Sequence, residues 1–196
     1  MKRLCVFCGS SRGTTKIYVD AARKLGKTLV KNNIGLVYGG GDVGLMGEIA
    51  HTVVDEGGEV IGVIPKALFD KEVAYTTLPD LRVVNSMHER KSLMVELSDG
   101  FIAMPGGLGT IEEFFEVLTW TQLGIHEKPC GILNVDGYFD HLIEFLNHTV
   151  SQKFVNKVHQ SMILIKNDPV ELIKSFESYK SPKIDKAKWI LSLNNA

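Results

Sequence analysis

The chain has 196 residues, of which 44% are hydrophobic and 23% charged, and its formal net charge is −1. Such a composition is typical of a folded globular protein, and the near-neutral charge argues against a nucleic acid or a membrane surface held by bulk charge. The apolar stretch at the start is too short for a signal-peptide core, and no apolar run is long enough to cross a bilayer. We therefore expect a cytoplasmic protein.

Short β-rich runs alternate with helix-like segments along the chain. The runs are almost continuously apolar, which is typical of parallel strands covered by helices on both faces. The sequence thus predicts an α/β fold with one doubly wound, mostly parallel sheet. We expect a single domain over residues 1–180, with residues 181–196 as a C-terminal appendage packed through Trp189, Ile190 and Leu191. In chain order the predicted elements are strand 4–8, helix 16–32, strand 34–38, helix 45–56, strand 59–64, a loop or short helix over 65–80, strand 82–85, helix 86–98, strand 101–104, helix 110–123, strand 130–135, helix 138–150, strand 162–165 and helix 169–179.

The three cysteines, Cys5, Cys8 and Cys130, are too few and odd in number for a disulfide framework. Cys5 and Cys8 form a C-x-x-C, but it lies within a predicted strand, where alternation places the two thiols on opposite faces. We expect structural thiols here and not a redox centre.

Three of the loops that follow predicted strands are rich in glycine: residues 9–11, 39–44 and 105–109. Ligands of this fold bind beyond the carboxyl ends of the strands, so these loops are the candidate site. Residues 39–44 fit G-x-G-x-x-G, but the next strand ends Val63-Ile64-Pro65, without the acidic residue that would hold a dinucleotide ribose. This disfavours an NAD-dependent enzyme, and no P-loop motif is present.

The loop Pro105–Thr110 leads into a helix start and allows two interpretations. Its free amides and the helix dipole suit a phosphate. Alternatively, Thr110 and Glu113 form a T-x-x-E capping box after a simple glycine turn.

The segment NSMHERK adds cations close to these loops. Ser86 and Glu89 form an S-x-x-E capping box, so the helix is expected to begin at Met87, with Arg90 and Lys91 in its early turns, where they oppose the dipole. Arg90 also shares a stripe with apolar residues, and a buried arginine needs an anion. That anion is either a neighbouring carboxylate or a ligand shared with the glycine loop.

The helix after the glycine loop is apolar on two sides. Ile111, Phe114, Phe115 and Leu118 are expected to pack on the sheet, with Glu113, Val117 and Trp120 roughly opposite. The second side could meet another subunit or an intrachain cover.

These motifs together resemble a known family. PGGLGTIEE (residues 105–113) is similar to the P-G-G-x-G-T-x-x-E signature of the LONELY GUY (LOG) cytokinin-activating phosphoribohydrolases, which were long mislabelled as lysine decarboxylases. CVFCGSS (5–11), YGGGDVGLMG (38–47) and MHERK (87–91) extend the resemblance.

The resemblance implies a modified Rossmann fold, a homodimer without a cofactor, and hydrolysis of the N-glycosidic bond of an adenosine 5′-monophosphate, plain or N6-modified, to a free base and ribose 5-phosphate. It implies Arg90 and Glu113 as the catalytic pair. The residues implied to hold the phosphate or line the nucleotide pocket are Gly106, Gly107, Gly109, Thr110, Ser10, Gly40, Gly41, Met87 and Lys91.

Glycosidic cleavage builds positive charge on the sugar, which suits a carboxylate at Glu113, while Glu112 and His88 are candidates for the acid. A nucleotide sensor or a carrier of the molybdenum cofactor with the same fold is the alternative function. Glu48-x-x-His51 has metal-ligand spacing but stands alone, so we predict no metal site.

Overall fold

The computed structural model describes residues 1–69 and 73–182. It contains a seven-stranded, all-parallel sheet covered by helices on both faces, which confirms the predicted fold class. Residues 183–196 of the predicted appendage, which include Trp189, Ile190 and Leu191, lie outside the described residues. A one-domain organisation is consistent with this sheet and stays a prediction.

The elements follow the predicted alternation. They are β1 (Arg3–Phe7), α1 (Lys16–Lys31), β2 (Gly35–Tyr38), α2 (Gly44–Asp55), β3 (Val60–Pro65), β4 (Asp80–Val84), α3 (Met87–Leu97), β5 (Phe101–Ala103), α4 (Leu108–Gln122), β6 (Cys130–Leu133), α5 (Asp140–Ser151), α6 (Lys157–Gln160), β7 (Ile163–Lys166) and α7 (Pro169–Glu177). Two short 3₁₀ helices cover Lys66–Leu68 and Val135–Gly137. The second of these and α6 were not predicted, because four residues or fewer carry no readable period.

The strand order is β4-β3-β2-β1-β5-β6-β7. The chain therefore builds the sheet outward from β1 in one direction and then returns to build from β5 in the other. The crevice between β1 and β5 is the topological switch point, where ligands of such sheets bind.

Two apolar clusters fill the two faces of the sheet. One contains the buried residues of α1, α2 and α7, and the other those of α3 and α4. Cys8 belongs to the first cluster and Cys5 to the second, as strand alternation predicted, and both are buried free thiols. Burial raises the pKa of both thiols above their ordinary range, which fits a structural role.

Helix α4 packs on the sheet through part of the predicted face, since Phe114 is buried and Phe115 and Leu118 pack against the same cluster, and it buries Val117 there as well. Its buried residues are Thr110, Phe114, Val117 and Thr121, whereas Ile111, Phe115 and Leu118 are only partly buried. The expectation that Val117 lies opposite the sheet is wrong, because Thr110 is buried and Val117 follows it by seven residues on the same face.

No helix of the described residues is long and apolar enough to span a membrane.

Candidate active site

The three glycine-rich loops interlock at the switch point. The amide of Gly9 donates to the carbonyl of Pro105 at 3.0 Å, and the carbonyl of Gly9 accepts from the amides of Leu45 and Met46 at the start of α2. Gly44 has a φ of 61°, and a Cβ there would lie 2.2 Å from the carbonyl carbon of Ser10. A side chain at Gly44 would therefore force two of the loops apart.

A cavity of about 300 Å³ opens at this point. Ser10, Gly106 and Gly107, all predicted site residues, contribute to its wall. The remainder of the wall comes from other residues of 9–13 and from Tyr18, Leu45, Pro105 and Tyr138.

The start of α4 lacks any side-chain cap. Gly107 is the N-cap residue, no side chain accepts from the first turn, and that turn holds no acidic residue. The capping-box interpretation of Thr110 and Glu113 is therefore wrong, since the helix begins two residues earlier than predicted. Among the described residues nothing accepts a hydrogen bond from the amides of residues 107–110, which leaves them for an anion.

The glycines of this loop have different reasons to be glycine. A Cβ at Gly106 would lie 2.1 Å from Oγ1 of Thr110 and 2.8 Å from the amide nitrogen of Gly9, so chain packing excludes a side chain there. A Cβ at Gly107 or Gly109 would meet nothing within 4 Å, and neither residue has a left-handed backbone. Neither packing against the described residues nor backbone conformation requires glycine at these two positions, and without side chains the backbone there is open to solvent.

Arg90 and Glu113 come together from α3 and α4. One Nη of Arg90 lies 4.0 Å from a carboxylate oxygen of Glu113, and the two side chains are 5% and 14% exposed. The same nitrogen donates to the carbonyl of Gly39, at the carboxyl end of β2, at 3.2 Å. A Cβ at Gly39 would lie 2.3 Å from this nitrogen, so the missing side chain makes room for the guanidinium.

Ser86 caps α3 as predicted and thereby fixes where Arg90 lies. Its hydroxyl accepts from the amide of Glu89 at 3.1 Å, and the carboxylate of Glu89 accepts from the amide of Asn85 at 2.8 Å. The helix consequently begins at Met87, whose sulfur lies 3.9 Å from the other Nη of Arg90.

Lys91 forms ion pairs with two carboxylates of α4. Its ammonium lies 2.8 Å from Glu112 and 3.0 Å from Glu116, and its side chain is largely buried. The hydrogen bond to Glu112 is the main reason that the pKa of Lys91 is raised. His88 is exposed.

Gly40 and Gly41, predicted to line the nucleotide pocket, lie deeper in the loop after β2. Gly40 has a φ of 80° and packs against Ile64 and Leu81, and Gly41 forms an isolated bridge with Ala74. Neither belongs to the wall of the 300 Å³ cavity.

The described residues contain no cluster of three or more His, Cys, Asp or Glu side chains suited to a metal ion. Glu48 is paired with Arg12 and Arg23, and His51 contacts Asp42 at 2.5 Å.

Sequence reasoning missed Tyr138 at this edge. Its hydroxyl donates to the carbonyl of Gly106 at 2.7 Å, and its ring meets Tyr18 edge-on. The available signal was the Asp-Gly turn directly after β6, because that turn lies at the same edge of the sheet as the glycine loops.

Comparison with known proteins identifies relatives along most of the chain. The family described as "Possible lysine decarboxylase" matches residues 46–176. "Probable cytokinin riboside 5'-monophosphate phosphoribohydrolase LOGL2" of Oryza sativa subsp. japonica is 50% identical over 192 residues, and the match covers 96% of this chain and 78% of the rice protein. "Cytokinin riboside 5'-monophosphate phosphoribohydrolase LOG3" of Arabidopsis thaliana is 49% identical over 91% of this chain and 83% of its own.

Among solved structures, the molybdenum cofactor carrier protein of Chlamydomonas reinhardtii is similar, with a TM-score of 0.68 and 20% identity over 91% of this chain and 99% of that one. At this identity the likeness shows the fold alone.

Proposed function

The chain belongs to the LOG family of cytokinin riboside 5′-monophosphate phosphoribohydrolases, and from this membership we propose that it hydrolyses the N-glycosidic bond of N6-modified adenosine 5′-monophosphates. The products are the free base and ribose 5-phosphate. The observation that carries the proposal is the proximity of Arg90 on α3 to Glu113 on α4, the helix whose uncapped amino terminus follows the PGG loop.

The phosphate would bind the free amides of residues 107–110, where the helix dipole favours an anion. Glu113 lies about five residues further along α4, which is roughly 8 Å along the helix axis. This separation is comparable with the length of a ribose 5-phosphate, so phosphate at the helix start would bring the sugar towards the carboxylate. Remote binding of the phosphate would then position the bond that breaks.

Glu113 would act on the sugar. Departure of the base leaves positive charge near C1′, which a buried carboxylate stabilises, either by charge alone or by orienting water or attacking directly. Arg90 would hold Glu113 in place and place its positive charge beside the ribose or phosphate. Glu112 is half-exposed and paired with Lys91, and His88 is exposed, so we assign the proton donor to neither.

The description "Possible lysine decarboxylase" does not fit the chemistry of this edge. A pyridoxal enzyme needs a neutral lysine amine to form its Schiff base. Lys91 is the lysine closest to the catalytic pair in sequence, and two carboxylates hold it protonated. The activity proposed requires no cofactor.

We also propose a homodimer in the cytoplasm. The partly buried flank of α4, with Ile111, Phe115 and Leu118, offers an apolar surface for a second subunit. Three free cysteines are consistent with a reducing compartment.

The direct test is to incubate the purified protein with N6-isopentenyladenosine 5′-monophosphate and with AMP, and to measure the free base by chromatography. We expect Glu113→Gln to reduce kcat at least about a hundredfold, while nucleotide binding stays close to wild type. Glu96→Gln is the matched control, because Glu96 is an exposed carboxylate on α3. Base release at the wild-type rate by Glu113→Gln would defeat the catalytic assignment, and binding without any turnover by the wild-type protein would favour a carrier.

A further inference from the structure

We propose that Tyr138 is a positioning residue that locks the Gly106–Gly107 peptide in the orientation needed to bind phosphate. The inference rests on the proposed function in so far as it takes the start of α4 as the phosphate site. Its starting point is the 2.7 Å hydrogen bond from the Tyr138 hydroxyl to the carbonyl oxygen of Gly106.

The geometry of the peptide group gives this bond its consequence. The carbonyl of Gly106 and the N–H of Gly107 belong to one planar peptide, and the described chain contains no cis peptide bond. In a trans peptide these two groups point in opposite directions. Because the carbonyl points at Tyr138, the N–H of Gly107 points away from it. That N–H is the first of the amides without a partner at the start of α4.

A peptide between two glycines needs such a lock. Glycine visits both signs of φ with little penalty, so a Gly-Gly peptide can rotate by half a turn more readily than any other. Rotation of this one would aim a carbonyl oxygen at the phosphate in place of an N–H. The hydrogen bond from Tyr138 stabilises one of the two orientations, while Gly106 itself is wedged between Thr110 and Gly9.

The loop that carries Tyr138 is built to hold it still. Asp136 and Gly137 both have positive φ, 51° and 70°, which forces a tight turn after β6. The side chain of Asn134 closes this turn by accepting from the amide of Phe139 at 2.8 Å and donating to Asp140 at 2.7 Å. Phe139 is buried, whereas the neighbouring Tyr138 is 43% exposed. The turn is held in place by several contacts, yet Tyr138 itself is not buried in the core. We infer that the position of Tyr138 matters for the site and not for core packing.

Tyr18 supplies a matched control at the same place. Its ring meets that of Tyr138 edge-on, with centroids 5.6 Å apart, and both line the cavity. The hydroxyl of Tyr18 makes no hydrogen bond within the described residues. Tyr138→Phe and Tyr18→Phe therefore remove the same atom from adjacent rings, but only the first removes a bond to the glycine loop.

The experiment compares these two variants with wild type. KM and kcat are measured with N6-isopentenyladenosine 5′-monophosphate, and calorimetry gives the affinities for ribose 5-phosphate and for adenosine, which lacks the phosphate. For Tyr138→Phe we expect KM and the ribose 5-phosphate dissociation constant to rise about three- to tenfold, the factor that one neutral hydrogen bond gives. Its kcat and its adenosine affinity stay within about twofold, and its rise in the ribose 5-phosphate dissociation constant exceeds that of Tyr18→Phe by at least about threefold.

Two results would overturn the lock. One is a Tyr138→Phe variant indistinguishable from Tyr18→Phe in KM and in ribose 5-phosphate affinity. The other is an equal loss of affinity for ribose 5-phosphate and adenosine, which would show a general packing role. A wild-type protein that releases no base would defeat the proposed hydrolase instead, and the ribose 5-phosphate arm would still decide on the lock because it needs no turnover.

Discussion

Replacing Gly109 with alanine separates what the fold requires at this position from what the ligand requires. Gly109 lies in the first turn of α4, has no left-handed backbone, and offers a new Cβ no atom within 4 Å. Alanine is a better helix former than glycine by about 0.5–1 kcal/mol, and no steric contact offsets this gain. For a chain of this size that corresponds to an increase in Tm of roughly 1–4 °C.

The same methyl group occupies the space beside the free amides at the helix start. We therefore expect KM for the nucleotide to rise at least about tenfold, since loss of hydrogen bonds to a charged group costs about 1.5–3 kcal/mol. Stability and activity should thus move in opposite directions. Differential scanning calorimetry and steady-state base release measure the two effects on one sample.

Gly26→Ala is the contrasting variant. Gly26 lies in α1, and a Cβ there would approach the side chain of Thr52 to 3.0 Å. This variant should lose stability and keep its KM. If Gly109→Ala gained stability with an unchanged KM, the phosphate could not lie against the start of α4, and the assignment of the glycine loop would be refuted.

Two further predictions concern Gly39 and His126. Gly39→Ala should lower kcat/KM by about ten- to a hundredfold with little loss of Tm, because its methyl group displaces the Arg90 guanidinium, which lies 2.3 Å from the Cβ position. Steady-state kinetics, with Gly109→Ala and Gly26→Ala measured alongside, test this prediction. Wild-type kinetics in Gly39→Ala would contradict it. Burial lowers the pKa of His126 from its ordinary 6.5 to about 4, so the unfolded chain binds a proton between these values that the folded chain does not. The neutral ring therefore contributes stability that is full above pH 6.5 and is lost as the pH falls towards 4. Denaturant titrations should show that this pH dependence is weaker in His126→Gln. An unchanged pH dependence in the variant would show that His126 does not cause it.

Much of the fold was readable because its strands and helices carry strong, simple patterns. The apolar runs around Val37, Ile61 and Ile132 predicted a buried parallel sheet, and the capping residues Ser86 and Glu89 located the start of α3. The prediction failed at the start of α4. There the T-x-x-E spacing suggested a cap, but a helix begun at Leu108 places Thr110 inside the first turn.

Less of the site than of the fold could be predicted from the sequence, because the site depends on contacts between segments that are distant in the chain. Sequence spacing suggested that Arg90 needed an anion, and the structure identifies Glu113 as its neighbour within the chain. The sequence did not predict that Lys91 pairs with Glu112 and Glu116, since no local sequence pattern relates α3 to α4. Tyr138 was missed for the same reason, as its partner Gly106 is 32 residues away.

The way Gly9 joins its neighbours has an evolutionary consequence. Its amide binds the loop that carries Pro105, and its carbonyl binds the start of α2, so the three glycine-rich loops form one connected structural unit. A change of length in any of them would displace the other two. Transferring the PGG segment alone to a different scaffold should therefore transfer its sequence but not its conformation. Evolutionary changes to this edge of the sheet must alter all three loops together.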